Sequence, residues 1–286
     1  MSQTSPSLPI LPIVQCHMLD TGYCLAWENH VIQGGQHRRI HCHALVALLR
    51  HPQHGWTLWD AGYAPRLLEA TQHLPFSLYR RATPLCLQPE LAVITQLPRF
   101  GLEPGDISRV IISHFHADHI AGLRDFPRAA LITSQTAYAD ILPRRGLNAL
   151  RRGYIPALLP DDFGERATLL PTFTGAALPG LGATHDLFGD GTLQLVALPG
   201  HAHGQIGMLT HTASGDILFA ADGCWLTRSI YEQRPPHRIT SLFVDDFKEV
   251  RTTINHLHTF AQSYPTVRIV PSHCPAAFAR EMKREP

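Results

Sequence analysis

Apolar and polar positions fall into short blocks along the chain, and four apolar blocks share one feature. Each block has the length and the Val, Ile and Leu content of a buried β-strand. Each also runs directly into a histidine or an aspartate: "VIIS" (110–113) into His114, "LQLVALPG" (193–200) into His201, "DILFAA" (216–221) into Asp222 and "VRIVPS" (267–272) into His273. Side chains at the carboxyl ends of strands in an α/β sheet converge on one crevice. The pattern therefore predicts four strands that bring polar side chains to one site.

Two further patterns predict the elements around these strands. Residues 43–63 form two apolar runs about the turn "HPQHG", which predicts a β-hairpin that ends near Asp60. We expect Asp60 to order the neighbouring loops by hydrogen bonds. Residues 247–260 carry apolar side chains at helical spacing, which predicts a helix packed against a sheet.

Two segments interrupt this pattern. Residues 64–109 favour helix but contain six prolines, which predicts short helices and loops. Residues 141–190 are rich in Pro, Gly and Arg with weak periodicity, which predicts a lid or a surface loop. With no internal repeat or linker tract in between, we predict a single domain over residues 1–286 with excursions at about 64–109 and 141–190.

Composition narrows the function classes. Hydrophobic residues make up 44% and charged residues 16% of the 286, which argues against a disordered chain. The formal charge is +1 and no long basic face is present, so we expect no nucleic-acid partner. The arginines between 144 and 152 are interpreted as a solvated helix face.

The compartment follows from the terminus and the cysteines. The stretch "MSQTSPSLPILPIV" lacks a basic region followed by a continuous apolar one, and no later segment is apolar enough to span a membrane. Six cysteines occur without a CxxC pair, which favours free thiols. We predict a cytoplasmic protein with no membrane partner.

The stretch "HFHADH" at 114–119 places three histidines and an aspartate directly after the first strand. Imidazole and carboxylate bind zinc, iron and manganese, and a catalytic site leaves one position open for water. Seven candidates are too many for one such ion, so we predict two. The predicted ligands are His114, His116 and His201 for the first ion, Asp118, His119 and His273 for the second, and Asp222 as the bridge.

These motifs carry a resemblance to a known family. "HFHADH" matches the HxHxDH motif of the metallo-β-lactamase superfamily, and "WDAGY", "LPGHAHGQ", "AADG" and "PSHC" extend the match over about residues 40–275. The resemblance implies an α/β fold, an αββα sandwich with a dinuclear metal site at one edge of two sheets. Within that superfamily the chain most resembles the N-acyl-homoserine lactone lactonases that quench quorum sensing.

The resemblance also implies a mechanism. A hydroxide that bridges two divalent ions, zinc first and iron or manganese as alternatives, would attack a lactone or a related small-molecule ester. Asp118 and Asp222 are the predicted catalytic residues, with Asp118 steering a proton toward the leaving alkoxide. The family implies a monomer or a homodimer.

One position departs from the lactonase pattern. Lactonases of this group usually carry a tyrosine three residues after the bridging aspartate, where this chain has Trp225. An indole donates only through its N–H group and cannot act as a phenol would. We predict that Trp225 and Tyr231 contact the substrate, and the role of the tyrosine could also pass to Tyr23 or Tyr154.

Other functions share the same ligands. A glyoxalase II-like thioesterase, a β-lactamase and a phosphoester or phosphotriester hydrolase are alternatives within the fold. From another class, the chain could be a ligand-binding or pathway-accessory protein that retains metal with little turnover. Whether the metal-loaded protein turns over any ester distinguishes the two classes.

Overall fold

The computed structural model describes residues 11–284. The predictions for the N-terminal stretch 1–14 and for the two ends of a 1–286 domain therefore lie partly outside the described residues. Within residues 11–284, none of the helices combines the length and the apolar composition that crossing a bilayer requires.

The strands form two sheets. In chain order they are β1 (Gln15–Trp27), β2 (Arg39–His51), β3 (Gly55–Trp59), β4 (Leu85–Cys86), β5 (Ile107–Ile111), β6 (Ala130–Ser134), β7 (Ala167–Leu170), β8 (Ala177–Leu178), β9 (Gly182–Asp186), β10 (Leu193–Ala197), β11 (Ile206–Thr210), β12 (Ile217–Ala221) and β13 (Arg268–Pro271). The first sheet has the order β4-β1-β2-β3-β5-β6-β7, and the second has the order β13-β12-β11-β10-β9-β8.

Helices connect the strands and cover the sheets. The α-helices are α1 (Glu28–Val31), α2 (Arg66–Ala70), α3 (Ser77–Ala82), α4 (Val93–Gln96), α5 (Ala117–Ile120), α6 (Gln135–Ile141), α7 (Gly146–Arg151), α8 (Phe163–Arg166), α9 (Thr227–Tyr231), α10 (Phe247–Ser263) and α11 (Pro275–Met282). Short 3-10 helices lie at Pro89–Leu91, Leu97–Phe100, Pro104–Asp106, Leu123–Asp125, Pro156–Leu158 and Arg238–Leu242.

Alternating side chains in the strands build the layers. On β2, Leu45, Ala47 and Leu49 pack between the two sheets, while Val46 and Leu48 face a separate core on the outer side. On β12, Ile217 and Phe219 point into the space between the sheets, while Leu218 packs with Ile254 and Leu257 of α10. Helices therefore cover two face-to-face sheets, and the predicted αββα sandwich is confirmed.

The strand directions place four carboxyl ends at one edge. Strands β3 and β5 are parallel in the first sheet, and β12 and β13 are parallel in the second. The backbone N–H of Ile206, at the start of β11, donates to the carbonyl of Ser113, which follows β5 (3.0 Å). The predicted hairpin and the four predicted strands are present, and the helix predicted over 247–260 is α10, which extends to Ser263.

The two excursions differ from each other. Residues 64–109 contain the short helices α2, α3 and α4, as predicted, and end in β5. Residues 141–190, which we expect to form a lid or a surface loop, instead contribute β7 to the first sheet and β8 and β9 to the second. Most side chains of these strands are exposed or only partly buried, so the strands carry no continuous apolar run that would stand out in the sequence.

Candidate metal centre

The edge shared by the two sheets brings together all seven predicted ligands. In the first group, one ligand atom each of His114, His116 and His201 lies within 4.8 Å of the others. The His116 Nδ1 and His201 Nε2 atoms are 2.8 Å apart, although 85 residues separate them in sequence. Three ring nitrogens that face one another at this spacing can surround a single ion.

The second group consists of Asp118, His119 and His273, whose ligand atoms also lie within 4.8 Å of one another. The Asp118 Oδ2 atom is 3.4 Å from the His273 Nε2 atom and 3.8 Å from the His119 Nε2 atom. This group supplies one carboxylate and two imidazoles, which is a second donor set suited to a divalent cation.

Asp222 lies between the two groups. Its Oδ2 atom is 3.1 Å from His201 Nε2 and 3.0 Å from His273 Nε2, and its Oδ1 atom is 3.4 Å from His119 Nε2. A single buried carboxylate thus contacts a histidine of the first group and both histidines of the second. Asp222 is therefore close enough to both groups for the bridging role, which stays a prediction.

Unsatisfied buried atoms show that these residues fit a metal. Within residues 11–284, the His114 Nε2, His119 Nε2 and Asp222 Oδ1 atoms are buried without a hydrogen-bond partner. Buried polar atoms normally have a partner, and leaving one unpaired costs about 1–3 kcal/mol. Binding to divalent ions would give these atoms the partners that they lack.

Hydrogen bonds on the far side of three of the histidine rings determine which nitrogen faces the centre. His114 Nδ1 contacts Ser113 Oγ at 3.0 Å, His119 Nδ1 contacts Asp60 Oδ2 at 2.8 Å, and His273 Nδ1 contacts the His43 carbonyl at 2.5 Å. These contacts leave the Nε2 atom of all three histidines directed inward. Sequence reasoning missed the His43 contribution because it comes from a backbone carbonyl.

Asp60 supports the ligand loops as the sequence analysis expects. Its Oδ1 atom accepts the Ser113 N–H at 2.8 Å, and its Oδ2 atom accepts the Ser113 hydroxyl at 2.8 Å in addition to facing His119. Asp60 is fully buried and has a positive φ of 60°. The carboxylate therefore holds the start of the "HFHADH" loop and one of its rings at once.

Replacing Asp60 by asparagine should weaken metal binding by about 10- to 100-fold, which is typical when a group that orients a metal ligand is lost. The amide nitrogen would face the donors of Ser113 or His119, so one of these contacts becomes repulsive. Competition with a chromophoric chelator measures the affinity. Asp190→Asn is the matched control, because Asp190 Oδ2 contacts His51 Nε2 at the same 2.8 Å but lies near the other end of the β2–β3 hairpin. Equal affinities in the two variants would contradict the role of Asp60.

The electrostatics differ between the two groups. Desolvation lowers the pKa of His116 to about 4 and holds the pKa values of His114 and His201 well below the usual range. Desolvation also disfavours the charged form of His273, but the carboxylates of Asp222 and Asp118 outweigh it and raise its pKa to about 9. The first group therefore offers neutral imidazoles, and the second group attracts positive charge.

The predicted substrate residues occupy different surroundings. The Trp225 indole N–H donates to Asp222 Oδ2 at 3.0 Å, so the side chain holds the central carboxylate. Tyr231 ends α9 with 59% of its surface exposed. Tyr23 stacks on the His41 ring at 4.0 Å. Tyr154 is buried, and desolvation raises its pKa to about 12.

A further group of potential ligands, His51, His54 and Asp190, lies at the β2–β3 hairpin. His51 Nδ1 accepts the backbone N–H groups of Gln53 (3.1 Å) and His54 (3.2 Å). The proton of a neutral ring must then be on Nε2, where it is donated to Asp190. The lone pair of His51 Nδ1 accepts the N–H groups that close the turn, so we interpret this group as structural.

Comparisons with known proteins agree with this geometry. The chain matches the family described as "Metallo-beta-lactamase superfamily" over residues 40–223. It is 27% identical over 238 residues to the N-acyl homoserine lactonase AttM of Azorhizobium caulinodans, with 81% of each chain covered. It is 26% identical over 206 residues to the N-acyl homoserine lactonase AttM of Agrobacterium fabrum, with 69% of each covered.

Solved structures show the same fold. An N-acyl homoserine lactone hydrolase with N-hexanoyl-L-homoserine bound at its catalytic metal centre superposes with a TM-score of 0.74 at 17% identity, covering 95% of this chain and 97% of that one. The dizinc quorum-quenching lactonase AidC superposes with a TM-score of 0.60 at 14% identity, covering 93% and 90%.

Two helix-covered sheets with a buried histidine and aspartate cluster at their common edge define a class of metal-dependent hydrolases. The chain belongs to the metallo-β-lactamase superfamily, whose motif His114 and its neighbours carry. The predicted family, fold and hydrolase class are confirmed, and the centre is one for divalent metal.

Proposed function

We propose that this protein opens the ring of N-acyl-homoserine lactones or closely related lactones. The observation that carries the proposal is Asp222, a buried carboxylate that contacts His201 on one side and His119 and His273 on the other. Relatives named as lactonases over most of their length support this choice of substrate within the superfamily.

The chain would hold two divalent ions, with zinc as the first choice. His114, His116 and His201 would hold one ion and Asp118, His119 and His273 the other, with Asp222 shared. When bound, such ions supply Lewis acidity and lower the pKa of a coordinated water to about 7. Hydrogen bonds on the far side of the rings of His114, His119 and His273 fix these three imidazoles, which leaves little reorganisation to the reaction itself.

Asp118 is the group proposed to move a proton. Asp118 and His116 are the partly exposed members of the seven, whereas the others are buried. The Asp118 carboxylate faces His273 at 3.4 Å and keeps contact with the solvent side. It is therefore placed to carry a proton to the alkoxide that leaves when the lactone C–O bond breaks.

Trp225 is proposed to take the place of the usual tyrosine in a changed role. Its N–H group is directed at Asp222, and its ring lies edge-on to His201 with the centroids 5.6 Å apart. The indole would hold the central carboxylate and present its partly exposed ring as a wall of the lactone pocket. Tyr231 stays a predicted substrate contact on the exposed side of α9.

Replacing Trp225 by phenylalanine should lower kcat/KM by about tenfold, since a hydrogen bond to a charged group contributes about 1.5–3 kcal/mol when both partners are desolvated. Trp225→Tyr should lose less, because a phenol can restore a donor near Asp222. Steady-state kinetics on a single lactone distinguish the two. Trp56→Phe, at the remote start of β3, is the matched control. Equal loss in both Trp225 variants would mean that ring size, not the donor, is what matters.

The substrate is tested by direct assay. Purified protein is loaded with zinc, manganese or iron in turn, and proton release is followed from short-chain and long-chain acyl-homoserine lactones. A thioester, a β-lactam and a phosphotriester serve as controls. We expect metal-dependent turnover of the lactones well above that of every control. Turnover of one control but no lactone would overturn the substrate, and metal binding without turnover of any ester would favour a binding protein.

A further inference from the structure

Arg152 and Asp245 form an ion pair beside the first ligand group. We propose that this pair clamps together the two loops that carry His116 and His201, so that both residues position the ligands of the first ion. The inference rests on the proposed metal centre and assigns it two positioning residues from outside the ligand motifs. Sequence reasoning places Arg152 on a solvated helix face, and the structure corrects that interpretation.

The Asp245 side of the clamp holds the loop of His201. The Asp245 Oδ2 atom accepts the backbone N–H of His203 at 2.5 Å, and the Asp245 N–H donates to the carbonyl of His201 at 3.1 Å. The next residue, Asp246, donates its N–H to the Gly200 carbonyl at 2.9 Å. Asp245 therefore holds the loop at His201 and His203, and the adjacent Asp246 holds it at Gly200.

The Arg152 side of the clamp holds the loop of His116. The carbonyl of Gly153 accepts the Ala117 N–H at 3.0 Å, directly after His116. Gly153 has a φ of 60°, and a Cβ atom built there would lie 2.9 Å from His116 Cδ2. The backbone of Gly153 therefore lies directly against the His116 ring, and the adjacent Arg152 side chain reaches across to Asp245.

The side chains of Arg152 and Asp245 are both partly buried, so each charge depends on the other for stabilisation. The Asp245 side chain is 13% exposed and that of Arg152 is 31% exposed, so neither is fully hydrated. Both side chains line a small cavity next to His116, together with Asp140 and His203. Removing one partner leaves the other charge poorly solvated, which favours separation of the two loops. Because His116 Nδ1 and His201 Nε2 are only 2.8 Å apart, a small separation changes the space available to the ion.

The clamp is tested with cobalt titrations of the metal-free protein, in which two binding steps are resolved by absorbance. Arg152→Met and Asp245→Asn should each weaken one step by about tenfold or more, the usual cost of losing a group that orients a ligand. The weakened step should be the cobalt-binding step that is lost in the His201→Ala variant. The step that is lost in the His273→Ala variant should keep its affinity for cobalt. Arg152→Lys keeps a positive charge and should therefore retain most of the cobalt affinity. Turnover of the Arg152→Met and Asp245→Asn variants should recover at saturating cobalt.

The control is Asp161→Asn, which breaks the exposed Arg124–Asp161 pair elsewhere on the molecule. The double variant Arg152→Met/Asp245→Asn should bind cobalt no more weakly than the worse single variant, since both remove the same contact. If the parent protein binds two ions and the variants bind both with unchanged affinity, or lose both steps equally, the clamp is wrong and the metal centre stands. A parent protein that binds no cobalt overturns the metal centre and the clamp together.

Discussion

Replacing Asp222 by alanine is expected to reduce kcat/KM for lactone hydrolysis by roughly a thousandfold, since removal of a single electrostatic stabiliser at an active site costs about 10²–10³ in rate. The side chain is 3.0–3.4 Å from ligand nitrogens of both groups, so its loss affects both ions. It would also remove the carboxylate nearest to His273 Nε2.

Metal content and steady-state kinetics of the same preparation measure this effect. Asp216→Asn is the matched control, because Asp216 immediately precedes the strand β12 that Asp222 follows and pairs with His211 rather than with the centre. The control should keep its metal and its activity. An Asp222→Ala protein that retains two ions and full turnover would remove Asp222 from the site.

Removing the divalent ions with a chelator is expected to abolish turnover and to lower the unfolding temperature by roughly 10 °C. Ligand present at about 1,000 times its Kd stabilises a fold by about 4 kcal/mol, and each kcal/mol shifts Tm by about 2–4 °C in a domain of 150–250 residues. The physical reason is the set of buried atoms, such as His114 Nε2 and Asp222 Oδ1, that have no hydrogen-bond partner within residues 11–284.

Calorimetry before chelation, after chelation and after zinc is restored tests this expectation. Zinc should return both the activity and the unfolding temperature. The Asp222→Ala protein provides the internal comparison, because its unfolding temperature should respond much less to zinc. A chelated protein with unchanged activity and unchanged unfolding temperature would show that these residues do not hold catalytic ions.

Much of the centre could be predicted from the sequence because four of the seven proposed ligands come after a strand with a clear apolar pattern, and the other three lie in the motif that starts at His114. His114 lies just beyond β5, Asp222 directly follows β12 and His273 lies just beyond β13. Because strand ends at one edge of a sheet bring such residues together, their proximity can be predicted without knowing which side chains surround them. The hairpin that leads to Asp60 and the helix α10 carry equally regular spacing.

The rest depends on contacts between distant segments. The His43 carbonyl contacts His273, although 230 residues separate them in sequence. Because the contact is made by a backbone group, the residue type at position 43 does not indicate it. Arg152 pairs with Asp245, although its own segment is an arginine-rich stretch that usually indicates a solvated surface. Trp225 lies at the position expected for a substrate contact, and only the geometry shows its N–H donating to Asp222.

The most direct test of the metal centre is anomalous diffraction from a zinc-loaded crystal, measured on both sides of the zinc absorption edge. We predict two peaks, one bound by His114, His116 and His201 and the other by Asp118, His119 and His273, with Asp222 contacting both. A single peak, or a peak at the β2–β3 hairpin instead of this edge, would contradict the dinuclear centre on which the proposed lactone hydrolysis depends.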